Sequence, residues 1–328
     1  MFIVHALSKS HRQIIGVRGA KIGLSLDLRD GTDPRDVSSI CSFSLPGSAK
    51  HLAVEGDVVA VPLTPEELLV DQDRAVRMMH RAVKVAEQTG PKVDVVGLGS
   101  LCAVVGGWGT ALQERLNVPV TTGGAATVWT MFSNAIQANP HREPMGILGS
   151  GSPVGKALVQ LLNKQRVPLF VDSKKSVRGL TGEFQVQEAE EIAQTQRWIV
   201  GCGPTGPLFN EVLLQTGTTV LDVALPHSFS PETPPRKDIR TFFAERMTMP
   251  DRWNRGLWGR VYHMVSGYGY HTVLACLVEP VVMAAYGRIR PYAQGRKLDP
   301  DSVLEFGKKA AVLNFHPTLS SDFWLGHR

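Results

Sequence analysis

Long apolar runs are missing from this chain of 328 residues. Nowhere do the ~18–20 consecutive apolar residues of a membrane span occur, and the most apolar stretch, Val273 to Ala285, is broken by Glu279 and Pro280. Cysteine is scarce. Cys41, Cys102, Cys202 and Cys276 show no CxxC and no paired spacing, which excludes a disulfide framework and fits a reduced, cytoplasmic protein. The opening Met1-Phe-Ile-Val-His-Ala-Leu has no basic region ahead of its short apolar one, so no signal peptide is expected. The ten histidines form no HExxH, and no zinc site is expected. A G-x-S-x-G elbow is also absent, which removes the commonest serine hydrolase pattern.

What is present suits a globular protein of two or three parts, with 43% hydrophobic and 20% charged residues. Charge is unevenly spread. Residues 230–328 hold 14 Lys+Arg against 9 Asp+Glu, so the whole net charge of +5 lies in the last third. Such a face suits an acidic partner or a phosphate-bearing ligand. No nucleic-acid-binding motif accompanies it, so nucleic acid is not an expected partner.

The periodicity predicts three regions. Residues 1–140 read as an N-terminal α/β domain. Its clearest helix starts at Thr64-Pro-Glu-Glu67, an N-cap, a first-turn proline and a capping box in succession. Residues 141–240 alternate strand and helix, with strands at Met145–Leu148, Val167–Val171, Trp198–Val200 and Thr219–Ala224; this is the pattern of a doubly wound parallel sheet, a Rossmann dinucleotide-binding domain. Helices are expected at Gln187–Thr195 and about Leu208–Leu214. Residues 241–328 read as a helical C-terminal part, with helices at 257–265, 270–286 and 299–311.

Gly149-Ser-Gly-Ser-Pro-Val-Gly155 lies between a strand and a helix, and Asp172 ends the following strand. Glycines there admit a pyrophosphate, the helix N-terminus supplies N–H groups, and an acid at the next strand end holds a ribose. The candidate cofactor-binding residues are therefore Gly149, Ser150, Gly151, Ser152, Val154, Gly155 and Asp172, with Cys202 and Gly203 of the turn after the next strand. Ser173 and Lys174 favour the 2′-phosphate of NADPH, while Asp172 keeps NADH open. A rival turn, Gly97-Leu-Gly-Ser-Leu-Cys-Ala103, has no acid at its next strand end.

Cys276, in His271-Thr-Val-Leu-Ala-Cys-Leu-Val-Glu-Pro280, reads first as a buried small hydrophobe of an apolar helix. Against that, Glu279 shares its helix face, and a carboxylate with a proline suits an inert core poorly. Here the chain resembles the long-chain acyl-[acyl-carrier-protein] reductases of cyanobacterial type, which make fatty aldehydes from acyl thioesters. The likeness runs nearly end to end: Met1-Phe2 with Leu7 and Ser8; the helix from Pro65-Glu66 through Arg81; Val93-Asp94 with Gly97 and Ser100; Thr121-Thr122-Gly123 with Ala126; Val154-Gly155; Ala275-Cys276 with Glu279; Gly295-Arg296; and Asn314-Phe315-His316-Pro317. The chain departs from the family at Gly124, Asp172 and Pro280.

The resemblance implies NAD(P)H-dependent reduction of an acyl thioester, carried by acyl-carrier protein or coenzyme A, through an acyl group on Cys276. Glu279 and His271, with His263 behind them, are the candidates to move protons. Two other readings stay open: an NAD(P)-dependent alcohol or amine dehydrogenase in which Cys276 is structural, and a Rossmann ligand sensor without chemistry.

Overall fold

The computed structural model describes residues 1–5, 38–89, 92–172, 182–203, 207–223, 228–230, 236–251, 253 and 271–320. Ser173, Lys174, His263 and the helix expected at 257–265 lie outside them. No helix among the described residues is long and apolar enough to cross a membrane.

The first region contains β1 (Phe2–His5), β2 (Ser38–Leu45), β3 (Val54–Val61), α1 (Pro65–Val70), α2 (Gln72–Thr89), β4 (Val96–Leu98), α3 (Thr110–Gln113), β5 (Val120–Thr121) and α4 (Gly124–Ala138). Its sheet runs β2–β3–β1–β4–β5 and is parallel except for β2. α1 begins as its sequence dictates, with the Thr64 hydroxyl accepting from the Glu67 N–H and the Glu67 carboxylate accepting from the Thr64 N–H.

The second region follows with β6 (Met145–Leu148), α5 (Pro153–Lys164), β7 (Leu169–Asp172), β8 (Gln185–Gln187), α6 (Ala189–Thr195), β9 (Trp198–Gly201), β10 (Phe209–Asn210), β11 (Thr219–Asp222), β12 (Phe229–Ser230) and β13 (Arg240–Thr248). Six strands pair in the order β8–β7–β6–β9–β11–β13, every pair parallel. Counted along the chain this is 3-2-1-4-5-6, the doubly wound Rossmann order. All four residues of β6 and of β11 are buried, as strands covered on both faces must be.

Two expectations are corrected. The segment 208–214 is not a helix: β10 pairs with β12, and a short 3-10 turn follows at Glu211–Leu213. The C-terminal part is not a separate helical unit either. β13 occupies 240–248, and β14 (Thr272–Leu274) and β15 (Pro317–Ser320) both pair with it antiparallel, completing an eight-stranded sheet. The helices α7 (Ala275–Ala285) and α8 (Pro300–Val312) lie between these strands.

α7 joins the two sheets. One apolar core runs from Phe2, Phe43 and Val58 of the first sheet, through α4 and α7, to Met145, Val171 and Val200 of the second. Pro280 sits inside α7 and lacks the N–H that would bond back to the Cys276 carbonyl four residues earlier. Its ring lies against Gly97 of β4, where a Cβ would come 2.5 Å from Pro280 Cγ and 2.7 Å from Phe2. Gly97→Ala should therefore push the first sheet off α7. Urea unfolding is expected to show a loss of about 1–3 kcal/mol, the usual cost of overpacking.

Candidate active site

The turn after β6 is held from within by Ser152 and from β7 by Asp172. Gly149 has a φ of +78°, and a Cβ there would lie 2.3 Å from the Gly203 backbone, so the turns following β6 and β9 touch. Gly155 lets the first turn of α5 close on the Gly149 carbonyl, 2.3 Å from where its Cβ would stand. Ser152 caps α5: its Oγ accepts from the Gly155 N–H at 2.9 Å and donates to the Cys202 carbonyl at 3.0 Å. A helix start with Pro153 at its first position and glycines at both close approaches is a cradle fitted to a pyrophosphate.

Two cofactor candidates do another job. Asp172, at the end of β7, accepts from the Gly149 N–H at 2.7 Å, the Ser150 N–H at 2.9 Å and the Ser150 hydroxyl at 2.6 Å. It fixes the turn, and a ribose would have to share it. Ser150 is fully buried behind this carboxylate, so its side chain faces Asp172 and not a ligand. Cys202 donates its thiol to the Leu148 carbonyl at 3.0 Å. Burial, with Asp172 and Asp222 nearby, pushes that thiol well above its ordinary pKa. It is a packing residue that also forms part of a wall.

That wall belongs to a cavity of about 140 Å³ at the carboxyl ends of the parallel strands. Ser152, Val154, Cys202 and Gly203 line it from the second sheet; Ser100, Leu101, Trp108 and Thr122 line it from the first; Cys276 and Glu245 complete it. The location is the crevice between β6 and β9 where the strand order reverses, the usual ligand site of doubly wound sheets. An engineered protein cavity of about this volume accepts benzene, so there is room for one ring or a thioester group.

Cys276 is the second residue of α7. Gly123 makes room for it: with φ +71°, a Cβ there would fall 2.4 Å from Cys276 Cβ. The backbone N–H groups of Ser100 and Leu277 reach the sulfur. Ser100 holds a φ of +51°, a left-handed conformation that a non-glycine residue adopts only under constraint. Burial pushes the thiol up to about 12, the Glu245 carboxylate adds to this, and the two N–H groups oppose it. At rest the group is a thiol.

Neither of the two described proton-moving candidates lines the cavity. His271 is exposed, and it does not line the cavity. Glu279 does not line it either; it is fully buried one turn along α7 from Cys276. Thr121 Oγ1 donates to one of its oxygens and the Ala126 N–H donates to the other at 3.0 Å. Its task is to join α7 to β5 and to the start of α4, whose N-terminal N–H groups favour an anion. Burial nevertheless raises its pKa to about 7, against the lowering effect of these donors. The Thr121 hydroxyl can serve Glu279 or the Ala293 carbonyl at 3.1 Å; a protonated Glu279 that donates to Thr121 satisfies both. Among the described residues no arginine pairs with Glu279: Arg288 bonds Glu305 at 2.8 Å and lies over the Tyr292 ring.

One acid in the cavity escaped the sequence reading. Glu245 stands in β13, within the part expected to be mainly helical. Its signal was the run Thr241-Phe-Phe-Ala-Glu-Arg-Met-Thr248, in which aromatic and β-branched residues favour a strand. Among the described residues, no cluster of His, Cys, Asp and Glu could hold a metal ion.

No family model matches the chain. Over 296 residues it is 26% identical to the aminotransferase PigE of Serratia sp. (strain ATCC 39006), covering 84% of this chain and 34% of that protein. The chain thus spans about a third of the length of this curated relative. Among solved structures, D-lactate dehydrogenase with NAD+ from Lactobacillus jensenii is 11% identical, with 68% of this chain and 71% of that one covered and a TM-score of 0.23. L-tryptophan dehydrogenase from Nostoc punctiforme is 14% identical, covering 51% and 50%, with a TM-score of 0.28. The NADPH-dependent glyoxylate/hydroxypyruvate reductase of Sinorhizobium meliloti is 13% identical, covering 68% and 72%, with a TM-score of 0.27. Likenesses this weak transfer neither substrate nor cofactor.

The Glu279 site generates a pH prediction. Its folded pKa of about 7 lies above the ordinary 4.5, so its contribution to stability is full at low pH and is lost as pH rises towards 7. Glu279→Gln mimics the protonated form and keeps the Ala126 and Thr121 contacts. The variant should match wild type in urea unfolding near pH 4.5. It should become more stable than wild type as pH passes 7, by on the order of 3 kcal/mol.

Proposed function

We propose that the chain is an NAD(P)H-dependent oxidoreductase that reduces an acyl thioester to an aldehyde, with Cys276 as nucleophile. The observation that carries this reading is the shared cavity: Cys276 opens into the same space as Ser152 and Val154 of the glycine turn and Gly203 of the turn after β9. A thiol and a dinucleotide cradle on one small cavity suit acyl transfer followed by reduction.

The glycine turn, Ser152 and the start of α5 would hold the pyrophosphate, with Asp172 bracing the turn. Lys174 remains the residue proposed to select the 2′-phosphate. Bound there, the reduced nicotinamide would supply hydride to the acyl carbon. The chain's own groups do the rest. Cys276 takes the acyl group from its carrier, a near-balanced exchange between thioesters. The Ser100 and Leu277 N–H groups that meet the sulfur stabilise negative charge as it develops on it. The apolar walls of Leu101, Val104 and Val154 keep water from hydrolysing the acyl-enzyme.

Three further points support the reading. The resemblance to acyl-carrier-protein reductases aligns its acylated cysteine with Cys276, and in the Thr121-Thr122-Gly123 stretch of the same resemblance Gly123 packs against Cys276 while Thr121 bonds Glu279. PigE is named an aminotransferase, and amino transfer needs an aldehyde or ketone acceptor, the product class proposed here. The basic final third suits a phosphate-bearing coenzyme A or an acidic carrier protein.

One observation favours the alternative, an alcohol or amine dehydrogenase with a structural Cys276: the thiol is pushed up to about 12, as an inert packing cysteine would be. NADPH oxidation with acyl-coenzyme A, followed by hydrazine trapping of product, separates the two. Wild type should consume NADPH and give aldehyde; Cys276→Ala should lose at least 10³-fold in aldehyde formation, on the order of the loss of a nucleophile, while cofactor affinity stays close to normal. Undiminished turnover by Cys276→Ala, or oxidation of alcohols at full rate by that variant, would select the dehydrogenase reading.

A further inference from the structure

Resting on that reading, we propose that Glu245 is the catalytic base that takes the Cys276 proton during acylation and returns it to the departing carrier thiol. Three placements carry the assignment. First, Glu245 is the one cavity-lining residue, among those described, with a carboxylate, imidazole or amine; the remaining ionisable groups on the wall are the thiols of Cys276 and Cys202. Second, β13 pairs with β11 only from Arg240 to Phe243. Glu245 therefore projects beyond the carboxyl end of its parallel neighbour, at the edge where doubly wound sheets hold ligands. Third, the pairing of β13 with β15 shifts between Phe243 and Arg246, while Arg246 pairs with Leu274 of β14. Glu245 lies inside that irregularity and beside the entry to α7: its neighbour Arg246 pairs with Leu274, two residues before Cys276. Bulges of this kind re-aim a side chain next to active sites.

The chemistry needs such a group. Only a thiolate attacks a thioester well, and this sulfur rests protonated. Burial first and the Glu245 carboxylate second hold the thiol up, and that carboxylate lines the same cavity as the S–H. As the Cys276 sulfur bonds to the acyl carbon, its proton passes to the Glu245 carboxylate. The bond from that carbon to the carrier sulfur then breaks, and the carrier thiolate takes the proton. The balance is one thioester and one thiol on each side, with no oxidant or reductant involved. Glu279, the other carboxylate near the sulfur, is committed to Thr121 and Ala126.

The test omits cofactor and follows the mass of the intact chain after mixing with decanoyl-coenzyme A. Wild type should gain one decanoyl group, and Glu245→Gln should gain it about 10²–10⁴-fold more slowly, the usual worth of a general base. Alkylation by iodoacetamide at mildly alkaline pH provides the second readout, mapped by peptide. Removing the neighbouring charge eases ionisation, so Cys276 in Glu245→Gln should alkylate as fast as wild type or faster, while buried Cys102 and Cys202 stay unlabelled. Slow acylation with retained alkylation supports the assignment. Unchanged acylation overturns it and leaves the reductase reading standing. Acylation and alkylation falling together also overturn it, because Glu245 would then only shape the site. A wild type that takes up no decanoyl group removes the thioester reading and this assignment with it.

Discussion

The architecture depends on one buried carboxylate. Glu279 has no exposed surface, and an isolated charge there would cost several kcal/mol. Its cost is offset by Thr121, by the Ala126 N–H and by the start of α4. Those donors come from the first sheet and the helix that follows it, whereas Glu279 belongs to α7, which enters from β14 of the second sheet. The contact thus fixes a helix that both halves share. Pro280 against Gly97, and the Leu52 N–H on the Ala285 carbonyl at 2.8 Å, hold the same helix farther along.

The placement of Cys276 follows. A residue at the second position of a helix pinned in this way cannot drift from the crevice. Gly123, at the cap of α4, gives the sulfur-bearing residue its space, and Ser100 turns an N–H towards the sulfur at the cost of a left-handed backbone. From the other side, Asp172 and Ser152 brace the two turns that close the second sheet's contribution. Two halves meet across a small, largely apolar space, and α7, packed on both, carries Cys276 to it.

Local chemistry was legible in the sequence, and long-range pairing was not. The capping box at Thr64 formed as read, because it depends on residues within one turn of each other, and the turn Gly149–Gly155 formed between its strand and helix with Asp172 and Gly203 packed on it. Segment 208–214 carried apolar residues at helical spacing but pairs with β12, a partner invisible to periodicity. β13 was missed for a related reason. Its Glu245 and Arg246 look like a solvated helix face, yet Arg246 is among the largest fully buried side chains and Glu245 lines the cavity. Glu279 was read as Cys276's partner from its spacing of three. That spacing does bring the two near one another, but one turn of helix suffices to carry the carboxylate out of the cavity and into the core. Asp172 shows the same limit: an acid at that strand end was expected to meet a ribose, and its nearest donors proved to be the turn itself.

The central claim is that the Cys276 thiol and the dinucleotide cradle serve one reaction in one cavity. The most direct measurement is a chase. Acyl-enzyme is prepared from acyl-coenzyme A without cofactor, freed of excess donor, and then mixed with NADPH while intact mass and aldehyde are followed together. The account predicts an acyl group mapped to Cys276 that disappears on mixing, with one equivalent of aldehyde released per acyl group lost. An acyl group that sits on another residue, or that persists at Cys276 after NADPH is bound, would contradict it.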